Sequence, residues 1–360
     1  MLEPMPMFAP SHHTAPVDQD IARSGPTPSH NGVDGLLALL ADDMHATNQL
    51  IIDRMHSKVA LIPQLAGYLV ASGGKRIRPL LTLASARLCG YGQADIGASR
   101  HQGLAACVEF IHTATLLHDD VVDDSQLRRG RSSANAVFGN QASVLVGDFL
   151  FSRAFELMVA DGSLEVLRIL SHASSVIAEG EVLQLSVASQ LGTTRADYLE
   201  VISGKTAALF AAACEVGAVV ADRPKAEQEA LRRFGQHLGI AFQLVDDVLD
   251  YSAEQAKLGK EIGNDLREGK MTLPVIVAIE NAATAEDKAF WQRVMEQGDI
   301  QEGDLEKAIA LMEQTGALHV TMDEAKAYAN KAEQDLALFA DSAIKSAMLD
   351  ALHYTVTRDR

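Results

Sequence analysis

The sequence predicts an all-α fold, and three observations carry that prediction. Apolar residues recur at helical spacing through the body of the chain, as in "GLLALLADDMHATNQLIIDRM" and "EFIHTATLLHDDVVDD". No stretch alternates apolar and polar residues long enough to make a convincing strand. Prolines, which interrupt helices, crowd into the beginning: six of ten (Pro4, Pro6, Pro10, Pro16, Pro26, Pro28) lie within residues 1–33, leaving Pro63, Pro79, Pro224 and Pro274 for the rest.

Taken in order, residues 1–33 mix those prolines with Ser, Thr, His and Gly and hold little that could pack, which predicts a disordered tail. The tail lacks a charged start followed by an apolar core, and Glu3, Asp18 and Asp20 outweigh Arg23, so it resembles neither a signal nor a transit peptide. Residues 34–360 show no shift in composition and are read as one helical domain. Within it, "GGKRIRP" (73–79) predicts a turn before a helix that Pro79 helps to start. Phe149, Phe151, Phe155 and Met158 follow helix spacing, as core or cavity wall. The apolar run from Ala207 to Ala221 is interrupted by Glu215 and too short to span a bilayer, so no transmembrane segment is expected. Cys89, Cys107 and Cys214 lie far apart in apolar helical patterns without metal-ligand spacing, which fits core thiols in a reducing compartment and a cytoplasmic location. A net charge of −17 and a pI near 5.1 argue against nucleic acid and anionic membranes as broad-surface partners. An anionic ligand must then be met by local basic clusters.

Two acidic pentads stand out: "DDVVD" at Asp119 to Asp123 and "DDVLD" at Asp246 to Asp250, each inside an apolar stretch. On a helix Asp119 and Asp123 share a face with Asp120 one step around, and Asp246, Asp250 and Asp247 repeat the arrangement. Crowded carboxylates in apolar surroundings call for a counter-charge. Hard oxygen ligands suit Mg²⁺, which keeps several waters and takes a few carboxylates plus phosphate oxygens. Either pentad alone could be a solvated acidic face. The basic residues decide otherwise: Arg128, Arg129 and Arg131 follow the first pentad, Lys75, Arg76 and Arg78 precede it, and Lys205, Lys260 and Lys270 lie further along. Basic clusters beside acidic ones in an acidic protein point to a phosphorylated ligand, with a diphosphate the natural candidate.

The set "GGKRIRP", "LLHDDVVDDSQLRRG", "GDFLFSRAF", "AEGEVLQL", "GKTAALF", "FQLVDDVLDY" and "LGKEIGNDLREGKMTLP" resembles the trans-polyprenyl diphosphate synthases, of the long-chain octaprenyl or decaprenyl type, from about Asp34 to the C-terminal "RDR". The resemblance implies an isoprenoid synthase helical bundle around a deep central cavity, with the two aspartate motifs facing each other across its mouth. It implies Mg²⁺ as the cofactor, held by Asp119, Asp120 and Asp123 on one wall and by Asp246 and Asp247 on the other, with Asp250 in the outer sphere. It places Arg128, Lys205 and Lys260 on the allylic diphosphate, Lys75, Arg78, His112 and Arg129 on isopentenyl diphosphate, and Thr206 and Gln243 beside the forming bond. The implied reaction is head-to-tail condensation of isopentenyl diphosphate onto an allylic diphosphate, farnesyl or geranylgeranyl diphosphate. The family further implies a homodimer and an all-trans product destined for a quinone side chain.

Chain length in this family is limited by the helix leading into the first aspartate motif. There Ala114 and Ile111 stand five and eight residues before Asp119, and neither is aromatic. The resemblance thus implies an open floor and a product of roughly eight to ten isoprene units, in a tunnel whose depth follows a helix of ~20–25 residues. His118 is read as a hydrogen-bonding support, not a ligand. Three rivals explain less. A metal phosphohydrolase built on His118 and Asp119 leaves the second pentad without a role, a terpene cyclase does not need "GGKRIRP", and a non-catalytic subunit would not keep both pentads complete.

Overall fold

A computed structural model of the chain describes residues 32–71, 74–92, 99–128, 130–252 and 262–357. The tail predicted for residues 1–33 lies almost wholly outside these residues, as do Arg129 and Lys260. Helices α1 (Asp34–Leu39), α2 (Ala41–Arg54), α3 (Leu61–Ala71), α4 (Ile77–Leu88) and α5 (Arg100–Val122) lead to the first pentad. A hairpin of β1 (Leu127–Arg128) and β2 (Arg131–Ser132) follows, then α6 (Ala134–Phe138), α7 (Asn140–Asp161), α8 (Leu164–Val187) and α9 (Arg195–Ile202). One π turn (Ser203–Ala207) joins α9 to α10 (Ala208–Val220), and α11 (Lys225–Leu249) ends in the second pentad. The remainder is α12 (Asn264–Arg267), α13 (Leu273–Glu280), α14 (Ala285–Trp291) running into a second π turn (Gln292–Glu296), α15 (Asp304–Gln314), α16 (Ala317–Asp335) with a short 3-10 turn after it (Leu336–Leu338), and α17 (Ala343–Thr357).

The helical expectation holds, with the hairpin as the small exception. Its strands are two residues each, Leu127 opposite Ser132 and Arg128 opposite Arg131, too short to leave an alternating pattern in the sequence.

Local sequence sets the boundaries. Ser163 caps α8 through a bond from Val166 N, and Thr194 with Asp197 forms a capping box that starts α9. Gly162, at φ 76°, ends α7 in the left-handed region, where a side chain would be strained. Along α5 the buried residues Leu104, Cys107, Val108, Ile111, Ala114 and Leu117 recur at three- and four-residue steps, making the apolar stripe that packs on α7.

α10 is apolar all round because it is surrounded, by α4, α5, α8 and α11. Its Phe210, Cys214 and Ala218 join a core built with α4, α11, α13 and α16. Leu209, Ala212, Ala213 and Val216 join a second core with α5, α7 and α8. The segment Arg195–Val220 is long and apolar enough to cross a membrane by length and composition, but 78% of its most apolar window is buried among the other helices. α9 and the π turn extend the shorter run that the sequence singled out, and the whole serves as core. Cys107 and Cys214 are buried in it, and burial pushes the Cys214 thiol up to about 12.

One buried polar cluster ties the first helices together. Arg87 of α4 grips Asp43 of α2 with two bonds (2.7 and 2.8 Å), and His101 and Gln102 of α5 each approach the same carboxylate at 3.0 Å. Burial alone would raise the Asp43 carboxyl, but His101, Arg87 and Gln102 together hold it well below the usual carboxylate range. Asp43→Ala is expected to cost about 3 kcal/mol, since it leaves the buried His101 imidazole and the partly exposed Arg87 guanidinium without their shared acceptor. A depressed carboxyl stabilises the fold above its unfolded value of about 4 and loses that contribution as pH falls below it. Urea titrations from pH 7 down to pH 3 should therefore show a steeper acid loss in the parent than in Asp43→Ala.

Candidate active site

Both pentads sit at the C-terminal ends of their helices: Asp123 caps α5 and Asp250 caps α11. Helix carbonyls already make these ends negative, so added carboxylates are electrostatically unfavourable unless cations answer them. In each pentad one aspartate turns inward. Asp120 is buried and held by Arg128, whose Nε donates to Oδ1 at 2.8 Å and whose Nη2 lies 2.6 Å from the same oxygen. Asn135 Nδ2 donates to the Asp120 carbonyl, so the hairpin and α6 are stapled to the end of α5. Asp247 is likewise buried, accepting from Tyr198 Oη at 2.5 Å and Gln243 Nε2 at 2.7 Å.

The others border the space between the helix ends. Asp119 is half-buried. Burial first, then the charges of Glu181 and Asp123, push its carboxyl up to about 7 against the pull of Lys205 and Arg128. Asp123 meets Lys270 Nζ at 3.0 Å, so a residue from beyond the second pentad reaches the first. Burial alone would lower Lys270, but Asp123 and Glu268, both ion-paired to it, raise it above its usual value. Asp246 is exposed, and Asp250 Oδ2 accepts from Asp265 N at 2.9 Å. Burial raises Asp247 to about 7 against the bonds from Tyr198 and Gln243. It raises Asp265 well above the usual range, with Asp247 and Asp250 adding to the effect.

The π turn delivers the remaining groups, a distortion that recurs at functional sites. Lys205 Nζ lies 2.8 Å from Glu181 Oε2, and Thr206 Oγ1 donates to Gln243 Oε1 at 2.8 Å. Gly180 and Gly239 make room for the turn: a Cβ at Gly180 would lie 2.5 Å from Lys205 N, and one at Gly239 2.6 Å from Ala207 Cα. A cavity of about 100 Å³ opens here, lined by Lys205, Thr206, Gln243, Asp247, Asp265 and Lys270 among others.

The residues expected to meet isopentenyl diphosphate are partly gathered. Arg78 Nη1 and His112 Nε2 are 3.0 Å apart, and the Arg78 guanidinium lies 4.3 Å from the Phe210 ring centroid. Burial lowers Arg78 to about 10, so it stays cationic at neutral pH, with Glu109 pulling upward. Arg78 Nε and Arg76 Nη1 are buried without a hydrogen-bond partner. Lys75 is exposed and lies 5.2 Å from the Tyr354 ring of α17. Ala114 and Ile111 are fully buried on α5, in the core shared with α7 and α8. His118 is turned onto α7, its Nε2 3.2 Å from the Val144 carbonyl.

Sequence reasoning did not single out Tyr198, Glu181 or the bridging role of Lys270. Tyr198 sits in a helix where an aromatic reads as core. Lys270 was legible only as one more basic residue near the second pentad.

Whether a divalent ion fits can be judged from the donors. They are hard oxygens, their ionised forms disfavoured by burial and by one another, and a lysine already stands against one of them. Hard carboxylate oxygens fit a hard divalent cation such as Mg²⁺ or Ca²⁺ better than a soft metal.

The comparisons agree with this geometry. The sequence profile of the polyprenyl synthetase family matches residues 59–312. Octaprenyl diphosphate synthase of Escherichia coli (strain K12) is 45% identical over 322 residues, covering 89% of this chain and 98% of that protein. A decaprenyl diphosphate synthase structure from Rhodobacter capsulatus aligns with TM-score 0.86 at 52% identity, covering 91% of this chain and 99% of that one. A polyprenyl synthase structure from Caulobacter crescentus CB15, complexed with calcium and isoprenyl diphosphate, aligns with TM-score 0.87 at 50% identity, covering 93% and 100%. The chain therefore belongs to the polyprenyl synthetase family, as a prenyltransferase of the long-chain polyprenyl diphosphate synthase type.

Proposed function

We propose that the enzyme condenses isopentenyl diphosphate onto farnesyl or geranylgeranyl diphosphate in the presence of Mg²⁺, and repeats the step to a product between the octaprenyl and decaprenyl lengths. What supports this reading above all is that Lys270, from the segment that follows the second pentad, pairs with Asp123 of the first at 3.0 Å. Asp119, Asp123 and Asp246 are the carboxylates that would hold Mg²⁺, because Asp120 and Asp247 are turned inward and buried against Arg128 and against Tyr198 with Gln243. Bound there, the ion would supply positive charge opposite the leaving diphosphate.

The chain's own residues do the rest. Lys205, Arg128 and Lys260 are proposed to bind the allylic diphosphate; Lys205 would exchange Glu181, and Arg128 part of its hold on Asp120, for phosphate oxygens. Arg78, His112, Lys75 and Arg129 are proposed for isopentenyl diphosphate, and the unpartnered N–H of Arg78 supports the first of these. As the allylic C–O bond breaks, the isopentenyl double bond attacks the allylic carbon and a proton leaves the adduct, the released diphosphate serving as base. Thr206 and Gln243 lie beside that bond, and the apolar walls keep water from the cation.

We also propose a homodimer formed through α7 and α8. Leu145, Phe155 and Val159 on the first helix and Val182 and Leu185 on the second are large apolar residues left exposed. The catalytic domain is proposed to begin at Asp34, in the cytoplasm, with residues 1–33 dispensable for chemistry and a lipid quinone as the destination of the product.

The test is incubation of purified protein with Mg²⁺, labelled isopentenyl diphosphate and either primer, followed by chain-length analysis. A ladder ending between octaprenyl and decaprenyl is expected. Absence of any elongated product, or arrest after one or two additions, would overturn the proposal.

A further inference from the structure

We propose that Tyr198 is a positioning residue for condensation, which acts through Asp247 and Gln243 to hold the Thr206 hydroxyl with its lone pairs, not its proton, available to the cavity. The proposal rests on the reading above that Thr206 and Gln243 lie beside the forming bond.

The argument is one of hydrogen-bond direction. Both groups bound to Asp247 donate to its oxygens, which fixes the sense of the chain. Tyr198 Oη does so to Oδ2 at 2.5 Å and Gln243 Nε2 to Oδ1 at 2.7 Å. This fixes the Gln243 amide with its nitrogen toward Asp247 and its oxygen on the other side. That oxygen lies 2.8 Å from Thr206 Oγ1, and only the hydroxyl can donate there. Thr206 has one hydroxyl proton, now engaged, and what it offers the cavity it lines is acceptor capacity alone. Lone pairs beside a carbon that becomes cationic lower the barrier; a proton directed at it would raise it.

Tyr198 is the origin of this order. It is 3% exposed, on a helix whose start is fixed by the capping box of Thr194 and Asp197, so its phenol is held in place independently of the pentad. Without it one buried carboxylate oxygen loses its donor, Asp247 can rotate, and nothing then dictates which end of the Gln243 amide faces Thr206. Tyr198 lies within the same apolar core as Ile202 and Phe210, so removal of its hydroxyl leaves the packing of the ring unchanged.

The experiment is a kinetic double-mutant cycle on the full chain with Tyr198→Phe, Thr206→Val and the pair, following kcat, both KM values and thermal unfolding. Tyr198→Phe is expected to lower kcat about tenfold with KM for either diphosphate nearly unchanged, the weight of one charge-assisted hydrogen bond. The two hydroxyls bond to different partners, Tyr198 to Asp247 and Thr206 to Gln243, so a purely structural defect would multiply with Thr206→Val. The proposal instead expects the double variant to be no slower than the slower single one. Unchanged kcat in Tyr198→Phe, or losses that multiply, would overturn it. If Thr206→Val itself leaves kcat untouched, the placement of Thr206 beside the reacting bond fails, a result separate from the failure of Tyr198. Should Tyr198→Phe not fold, 3,5-difluorotyrosine introduced at 198 keeps ring and donor while changing the acidity of the phenol. A shift in kcat without a shift in KM is then expected, and an unchanged kcat overturns the proposal.

Discussion

Asp119→Ala and Asp246→Ala are each expected to reduce kcat by about 10³-fold or more, comparable to or larger than the loss of one oxyanion donor, while the protein stays folded. The two halves of this expectation have one electrostatic cause. Each carboxylate sits in the last turn of a helix, beside other carboxylates, where its charge opposes the helix dipole. Removing it from the metal-free protein relieves repulsion, so the unfolding temperature should stay level or rise. The same removal takes away a ligand from the charge that balances the departing diphosphate. Activity falls where stability does not, a pattern that marks groups kept for function. Steady-state kinetics beside thermal unfolding, both with and without Mg²⁺, separate the two effects. Turnover near the parent value in either folded variant would refute a site made of both helix ends.

Ala114→Phe should shift the product to markedly shorter chains and leave the first condensations fast. Ala114 lies five residues before Asp119 on α5, about 7.5 Å below the mouth, and Ile111 about 12 Å below it. Both are fully buried in the core that α5 shares with α7 and α8. We propose that the growing tail descends along this face of α5, where a ring at 114 would block it without touching the carboxylates above. Overpacking there is expected to cost ~1–3 kcal/mol, which the fold can bear. Ile111→Phe, one turn deeper, should stop growth later than Ala114→Phe. Product analysis by chain length checks both. An active, folded Ala114→Phe enzyme making the parent length would place the floor elsewhere.

The parts of this fold that were readable in the sequence are those governed by local pattern. Helical periodicity marked α1, α2 and α5, and the two pentads announced a cation site because acidic residues inside apolar stretches need a reason. What the sequence could not disclose is which carboxylate of each pair turns inward. That is decided by partners distant along the chain: Arg128, on a hairpin too short to be seen in advance, for Asp120, and Tyr198 for Asp247. Arg128 and Lys205 were expected at the substrate, and in the folded protein they hold Asp120 and Glu181. Lys270 reaches Asp123 from 147 residues away, a contact that no periodicity encodes. The π turn at Ser203–Ala207 was equally hidden, since its sequence reads as ordinary helix.

α10 contributes one face to each of the two apolar cores. A helix shared in this way makes the two halves a single cooperative unit, because neither can open without exposing the apolar surface of the other. The amide hydrogens of α10 are therefore expected to exchange only through global unfolding, which native-state hydrogen exchange would check. The π turn that bears Lys205 and Thr206 runs directly into that helix. The end of the cavity lined by Lys205 and Thr206 is thus anchored to a helix buried in both cores, so that loosening at the surface or at the helix termini leaves it in place.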